Sequence, residues 1–308
     1  MSIGFFGAVR YFSPGTLKWT GAVDTNWNNV SNWMVVSGSP TIPPNSGAGG
    51  DHVIIDNAAP NFPEIIVNAF ARSLTVPLGA KVTVKNGGNL LVRGSDLDGV
   101  SNDGRISIET GGIFMVDSFF QDGLINGAAA VLINAGTFSV KNGFGSRIKN
   151  SDTILNSGNF TVFDGVDTGL INYSTGYISN TNNFSVTGGN SSQISNYGQI
   201  YNYGNVFSVS GGTGGTVFIN QVKSYFYNQG TNANISGGAG GDRFDNFSIV
   251  DNYGSLTIGG APSGKSFINR KGAFLNQNNG NLTIGNGNNV QLDNYGTANL
   301  QFTTFIFG

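Results

Sequence analysis

Residues Phe267 to Ile284 read F-I-N-R-K-G-A-F-L-N-Q-N-N-G-N-L-T-I, and residues Ile194 to Val209 read I-S-N-Y-G-Q-I-Y-N-Y-G-N-V-F-S-V. The two stretches say nearly the same thing, and from about Ala129 to Gly296 the chain says it seven times. Aligned, the copies give three columns. The first holds Asn126, Asn150, Asn172, Asn196, Asn220, Asn246, Asn269 and Asn294. The second holds Asn134, Asn156, Asn180, Asn202, Asn228, Asn252 and Asn276. The third is an apolar pair around one residue: Phe138/Val140, Phe160/Val162, Phe184/Val186, Phe207/Val209, Leu256/Ile258 and Leu282/Ile284. Steps within the Asn columns run from 22 to 26 residues. A period of that size marks a solenoid.

Each copy contains three short segments in which apolar and polar residues alternate, each ended by Asn or Gly. Alternation at period two means a strand with one buried face. Segments of four to six residues split by Asn and Gly do not sustain a helix. Three strands and three tight turns make one triangular coil, and successive coils pair as parallel strands. The expected fold is therefore all-β: a single-stranded, triangular parallel β-helix of nine or ten coils, roughly 45–50 Å long. Phe, Leu, Ile and Val stack inside it. The Asn columns, including Asn172, Asn196, Asn220, Asn202, Asn228 and Asn252, are expected at corners. There Asn tolerates left-handed backbone and its amide bonds the same amide one coil away. Glycines are expected where φ must be positive.

Composition agrees. The 308 residues include 48 Gly and 23 Phe, with only 10% charged residues and a net charge of -2. That balance gives no electrostatic footprint for nucleic acid or an anionic membrane. Gly at this level without a G-X-Y period is not collagen, and 12% aromatics with regular alternation supply a continuous core rather than disorder. There is no cysteine, hence no disulfide or thiolate site, and no apolar run of 18 residues to span a bilayer as a helix.

Three parts follow in order: an apolar N-terminal strand or assembly segment (1–18), a Trp-rich capping module (19–60) and the β-helix (61–308). The middle part carries all three tryptophans in W-T-G-A-V-D-T-N-W-N-N-V-S-N-W, Trp19 to Trp33, followed by a Pro/Gly/Ser loop and D-H-V-I-I-D, Asp51 to Asp56. The arrangement W-x-G-x-x-D-x-x-W-x-N-x-x-N-W, then Pro, then G-D-x-V-I-I, resembles a module that opens the repetitive passenger regions of secreted bacterial adhesin-like and autotransporter-like β-helix proteins. The resemblance covers about Trp19 to Asp56 and carries no catalytic residues. It implies an extracellular or cell-surface location, although M-S-I-G-F-F-G-A-V-R lacks the basic start and long apolar stretch of a signal peptide. Physically, three large aromatics beside the first coil close the open apolar end of a solenoid. The alternative is a sugar-stacking platform.

Candidate chemistry is sparse. His52 is the one histidine, beside Asp51, too little for a metal site or a nucleophilic triad. Asp164/Asp167 and Asp242/Asp245 are the close carboxylate pairs, both in Gly-rich turns, whereas glycosidases need paired carboxylates on a shared cleft. Asp96, Asp98 and Asp103 read as a solvated loop, with a Ca²⁺ site as the alternative. No enzyme activity, no cofactor and no metal is expected. One outward column is regular: Ser139, Thr161, Ser185, Ser208, Ser236, Thr257 and Thr283 lie between the inward pairs, with Asn159, Asn183, Asn234 and Asn281 beside them. Such a ladder suits glycan or ice, though Ser and Thr also simply suit exposed strand positions.

The ends of the chain are apolar: Ile3, Phe5, Phe6 and Phe12 at one, Phe302, Phe305 and Phe307 at the other. A β-helix has two open rims of unpaired backbone, which soluble monomers protect with Lys, Glu or Pro. The expected function is a structural, self-assembling filament or sheath subunit, its partner a second copy stacked head to tail. An adhesin passenger or glycan-binding β-helix is the alternative, and ice binding a second one.

Overall fold

The alternation predicts three strands per coil, and the chain forms them. A computed structural model describes residues 14–44, 50–212, 214–237, 240–285, 292–301 and 304–307. Among these, three sheets run the length of the molecule, one of thirteen strands and two of eleven, parallel throughout except for one antiparallel pair at the N-terminal edge. One coil consists of Leu170–Asn172, Tyr177–Asn180 and Asn183–Thr187, one strand on each face. It pairs without shift onto Ile194–Asn196, Gln199–Asn202 and Val206–Ser210 of the next. Eleven strands at the ordinary spacing give a β-solenoid ~48 Å long. The helical content of the described residues is one 3-10 turn, Val30–Asn32.

Like stacks on like inside. Phe138, Phe160, Phe184 and Phe207 form one buried column with centroids 5.0, 4.7 and 5.5 Å apart. The sequence pairs extend backward as Phe114/Val116 and Leu90/Val92, and Ala233/Ile235 fills the coil between Phe207/Val209 and Leu256/Ile258.

The Asn columns are inside too, and of the two expected reasons the amide ladder holds while the left-handed backbone does not. Asn172, Asn196, Asn220, Asn202, Asn228 and Asn252 are fully buried, and none of the positive-φ residues belongs to either column. Each Nδ2 donates to the Oδ1 of the next coil, at 2.8–2.9 Å from Asn102 through Asn294. The second ladder runs at 2.7–2.8 Å. The amide, not a left-handed backbone, selects Asn: it closes the strand end and pairs its buried polar atoms from coil to coil, with only Asn134 Oδ1 and Gln277 Nε2, at the two ends of the second ladder, left over among the described residues. Two members differ from the sequence alignment. Asn102 opens the first ladder. In the second, Asn252 pairs with Gln277 rather than Asn276, because Leu275 points inward and parity turns Asn276 outward onto Asp251.

Glycine at the corner between the second and third faces meets the expected positive φ at Gly87 and Gly111, and in later coils is there for space instead. A β-carbon on Gly158 would overlap the Gly136 carbonyl oxygen, and one on Gly254 would overlap that of Gly230.

The corner between the first and second faces shows an order the three columns do not reveal. Its turns alternate between four residues and two. Gly127–Ala130, Tyr173–Gly176, Gln221–Ser224 and Arg270–Ala273 are long, each closed by a hydrogen bond from its fourth N–H to its first carbonyl. Between them stand Ser151–Asp152, Tyr197–Gly198 and Phe247–Ser248. The repeating unit is a pair of coils.

The N-terminal motif becomes legible residue by residue. Strand β1 (Thr16–Trp19) pairs antiparallel with β2 (Trp33–Ser37) and parallel with β3 (His52–Ile55), so the Trp module is continuous with the first face. Trp19, Trp27 and Trp33 are buried against one another with centroids 4.7–6.1 Å apart, and no ring face is left open to a sugar. Gly21 (φ 56°) lies against the Asn61 carbonyl. Asn29 caps the 3-10 turn. Buried Asn32 accepts from the Val23 and Asp24 amides and donates to the Asp24 carboxylate at 2.6 Å. Hydrogen bonds from Asn29, Asn32 and the Asn26 amide hold Asp24 below its ordinary pKa.

Candidate functional site

The outward side of the second face is where chemistry gathers. Strand alternation turns Tyr177, Tyr201, Tyr225 and Tyr227 outward, and the following corner adds Tyr203 and Tyr253. Unshifted pairing brings the rings together: Tyr201 lies 5.4 Å from both Tyr177 and Tyr225 and 5.8 Å from Tyr227. Tyr227 lies 5.4 Å from Tyr203 and 5.3 Å from Tyr253. The phenols are tied down. The Tyr225 hydroxyl donates to Asp251 at 2.5 Å, Tyr227 to Gln229 at 3.2 Å and Tyr201 to Gln199 at 3.3 Å. Asn276 donates to the other Asp251 oxygen at 2.6 Å.

Burial raises the pKa of Tyr201, Tyr203 and Tyr227, and raises that of Tyr225 further with the help of its bond to Asp251. A phenol raised in the fold adds stability below its unfolded pKa of about 10 that is lost as pH climbs through the folded value. The expected result is a late-titrating phenolate class in the ultraviolet absorbance of the native protein. Above about pH 10 the native chain should carry fewer phenolates than the unfolded chain at the same pH. The mutation Tyr225→Phe should shrink that class.

The hydroxyl column is real over part of its length. Ser139, Thr161, Ser185 and Ser208 sit in direct register, then Asn234, Thr257 and Thr283. Ser236 is not in it: Ala233 and Ile235 point inward, so Asn234 takes the place and Ser236 stacks on Ser210. Toward the N-terminus the same column continues as Met115, Leu91 and Phe70.

The scattered candidates stay apart. Asp96 pairs with Arg72, Asp98 accepts the Asp122 amide at 3.0 Å, and no group of three His, Cys, Asp or Glu among the described residues is placed to hold a metal. Asp245 holds Arg270 through both oxygens at 2.6 Å, and Asp242 accepts the Lys265 amide. His52 Nδ1 lies 2.6 Å from Ser73 Oγ, but Asp51 is turned inward to accept the Gly15 and Thr41 amides and does not orient the ring. Burial, then the Arg72 charge, pulls the His52 pKa down.

A buried arginine was invisible in the sequence. Arg147 reaches past Gly169 to Gln193 Oε1 at 3.0 Å and the Gly188 carbonyl at 3.1 Å. Burial lowers its pKa to about 10, against the opposing pull of Asp167 and Asp164, so it stays charged at neutral pH. Those two acids are the carboxylates whose charge acts on it.

Of the assembly residues, Ile3, Phe5, Phe6, Phe12 and Phe302 lie outside the described residues. Phe305 and Phe307 lie on the last strand, Thr304–Phe307, of which the backbone alone is described. What is described at the two rims is β2, with Met34, Val35 and Val36 each about half exposed, and the final coil, with Leu300 39% exposed. No helix among the described residues is long and apolar enough to cross a membrane.

Against known proteins, no curated sequence and no solved structure matches the chain. Residues 18–126, which take in the whole tryptophan motif and the first coils, match a family described as a domain of unknown function (DUF8693).

Proposed function

We propose that the protein is a structural, non-enzymatic solenoid that stacks head to tail into an extracellular or surface filament or sheath. The observation that carries this is the rim strand β2. It is paired on one side among the described residues and presents Met34, Val35 and Val36 with no charge or proline between Trp33 and Ser37. Native edges are normally blunted by such residues. At the far end Leu292–Asn294, Thr297–Gln301 and Thr304–Phe307 are each paired on one side among the described residues, and Leu300 occupies the position where earlier coils bury an amide. Two unlike open rims make a heterologous contact, which propagates. The surface location rests on the resemblance of the tryptophan module.

Electron microscopy and sedimentation of the 1–308 chain test it. Fibres are expected, and Val35→Lys, Leu300→Lys or removal of residues 1–12 should abolish them while the strand circular dichroism is kept. Monodisperse monomers from the intact chain at high concentration end the idea.

An adhesin or glycan-binding solenoid is the second reading, favoured by the tyrosine face. Ice binding has less behind it: the hydroxyl column is broken by Asn234 and gives way to Met115 and Leu91.

A further inference from the structure

We infer that the tyrosine face of the second sheet is a docking track for an extended, neutral, β-linked polysaccharide. Three observations select this occupant. The first is chemical. Partly exposed phenol rings, Tyr203 and Tyr253 the most open, offer apolar faces for the C–H side of a pyranose, and their neighbours Gln199, Gln229, Asp251 and Asn276 offer amides and one carboxylate for its hydroxyls. The second is charge. Between Thr153 and Thr297 the two outward columns of this face contain no Lys or Arg, and the one acid, Asp251, is already engaged by Tyr225 and Asn276. A polyanion finds no cation here, which rules against nucleic acid and acidic glycans.

The third is geometry. The rings follow one another along the solenoid axis from Tyr177 through Tyr201 and Tyr227 to Tyr253, at 5.3–5.8 Å centre to centre. Their advance is the strand spacing of ~4.8 Å. An extended β-linked chain advances by a closely similar length per sugar, so successive rings meet successive residues without a change of register. A compact ligand uses one or two rings and leaves the rest bare. Hydrogen bonds to Asp251, Gln229 and Gln199 hold the phenols in place before any ligand arrives, which lowers the ordering cost of binding.

Native affinity electrophoresis of the 1–308 chain in gels containing hydroxyethylcellulose tests this, with dextran as the α-linked control and heparin as the anionic one. Retardation by hydroxyethylcellulose alone is expected. The double variant Tyr201→Ala/Tyr227→Ala should weaken it at least about tenfold, with circular dichroism showing the strands intact. Ser185→Ala/Ser208→Ala, on the third face, should leave it unchanged. Should the tyrosine double variant misfold, Tyr225→Phe and Gln229→Ala replace it and should each weaken retardation. Absence of retardation overturns the proposal, as does equal retardation by dextran or heparin. So does loss through the serine pair instead of the tyrosines, or a protein captured through the tyrosines with no polysaccharide bound. The test is independent of filament formation, because it scores monomer and polymer alike by the effect of the tyrosines.

Discussion

Replacing Phe160 by alanine should cost about 3–5 kcal/mol of stability, while alanine at the adjacent Thr161 should cost less than about 1 kcal/mol. Phe160 is buried between Phe138 and Phe184, and lies nearly parallel to the latter, with centroids 4.7 Å apart. Its removal forfeits apolar burial, opens a cavity and strips a stacking partner from both neighbours. The solenoid collapses poorly around such a hole because three sheets hold its walls at fixed spacing. Thr161 points outward between Ser139 and Ser185 and loses a half-exposed side chain. Urea or guanidinium unfolding of the two variants checks it; equal costs would mean that the faces are reversed.

The amide ladder should be nearly as sensitive. Asn196 Nδ2 donates to Asn220 Oδ1 at 2.9 Å and to the Tyr225 carbonyl at 3.1 Å, while its Oδ1 accepts from Asn172 at 2.8 Å and from the Gly198 amide at 3.2 Å. Asn196→Ala leaves several buried partners short at once. Each orphan costs ~1–3 kcal/mol, so a loss of roughly 2–5 kcal/mol is expected. Leucine should not rescue it, since the orphans remain. Asn276→Ala, on the outside, should cost within ~1 kcal/mol. Denaturation midpoints for Asn196→Ala, Gln277→Ala and Asn276→Ala then read the register directly: a large loss at Asn276 and none at Gln277 would restore the alignment that the strand pairing excludes.

That alignment shows why some of this molecule is readable in its sequence and some is not. In a parallel stack each residue lies on its counterpart one coil earlier, so a column that must be filled identically becomes a period on the page. The Phe and Asn columns are such columns, and they disclose the fold. Where two candidates stand side by side, period fails and parity decides. The run L-N-Q-N-N, 275 to 279, offers several amides, and only the inward Leu275 shows that Gln277 is the one inside. Ser236 was drawn into the hydroxyl column in the same way, by a serine that lies one outward position too far along. The tyrosine face fails differently. Outward positions are under no common packing demand, so Tyr177, Tyr201, Tyr203, Tyr225, Tyr227 and Tyr253 fall at different offsets within their copies. The clue was present in Y-I-S-N, Q-I-Y-N and Y-F-Y-N, 177–180, 199–202 and 225–228, whose odd residues flank the inward one. Their adjacency needs the register.

The alternation of long and short turns at the first corner has a consequence for how such a rod can change length. From Asn102 onward a long turn has short turns for its neighbours. Excising a single coil there would set two long turns, or two short ones, against each other. Excising two restores the original neighbours on either side of the cut. Excision or insertion of a doublet of about 46–50 residues therefore keeps the alternation, whereas a single coil breaks it.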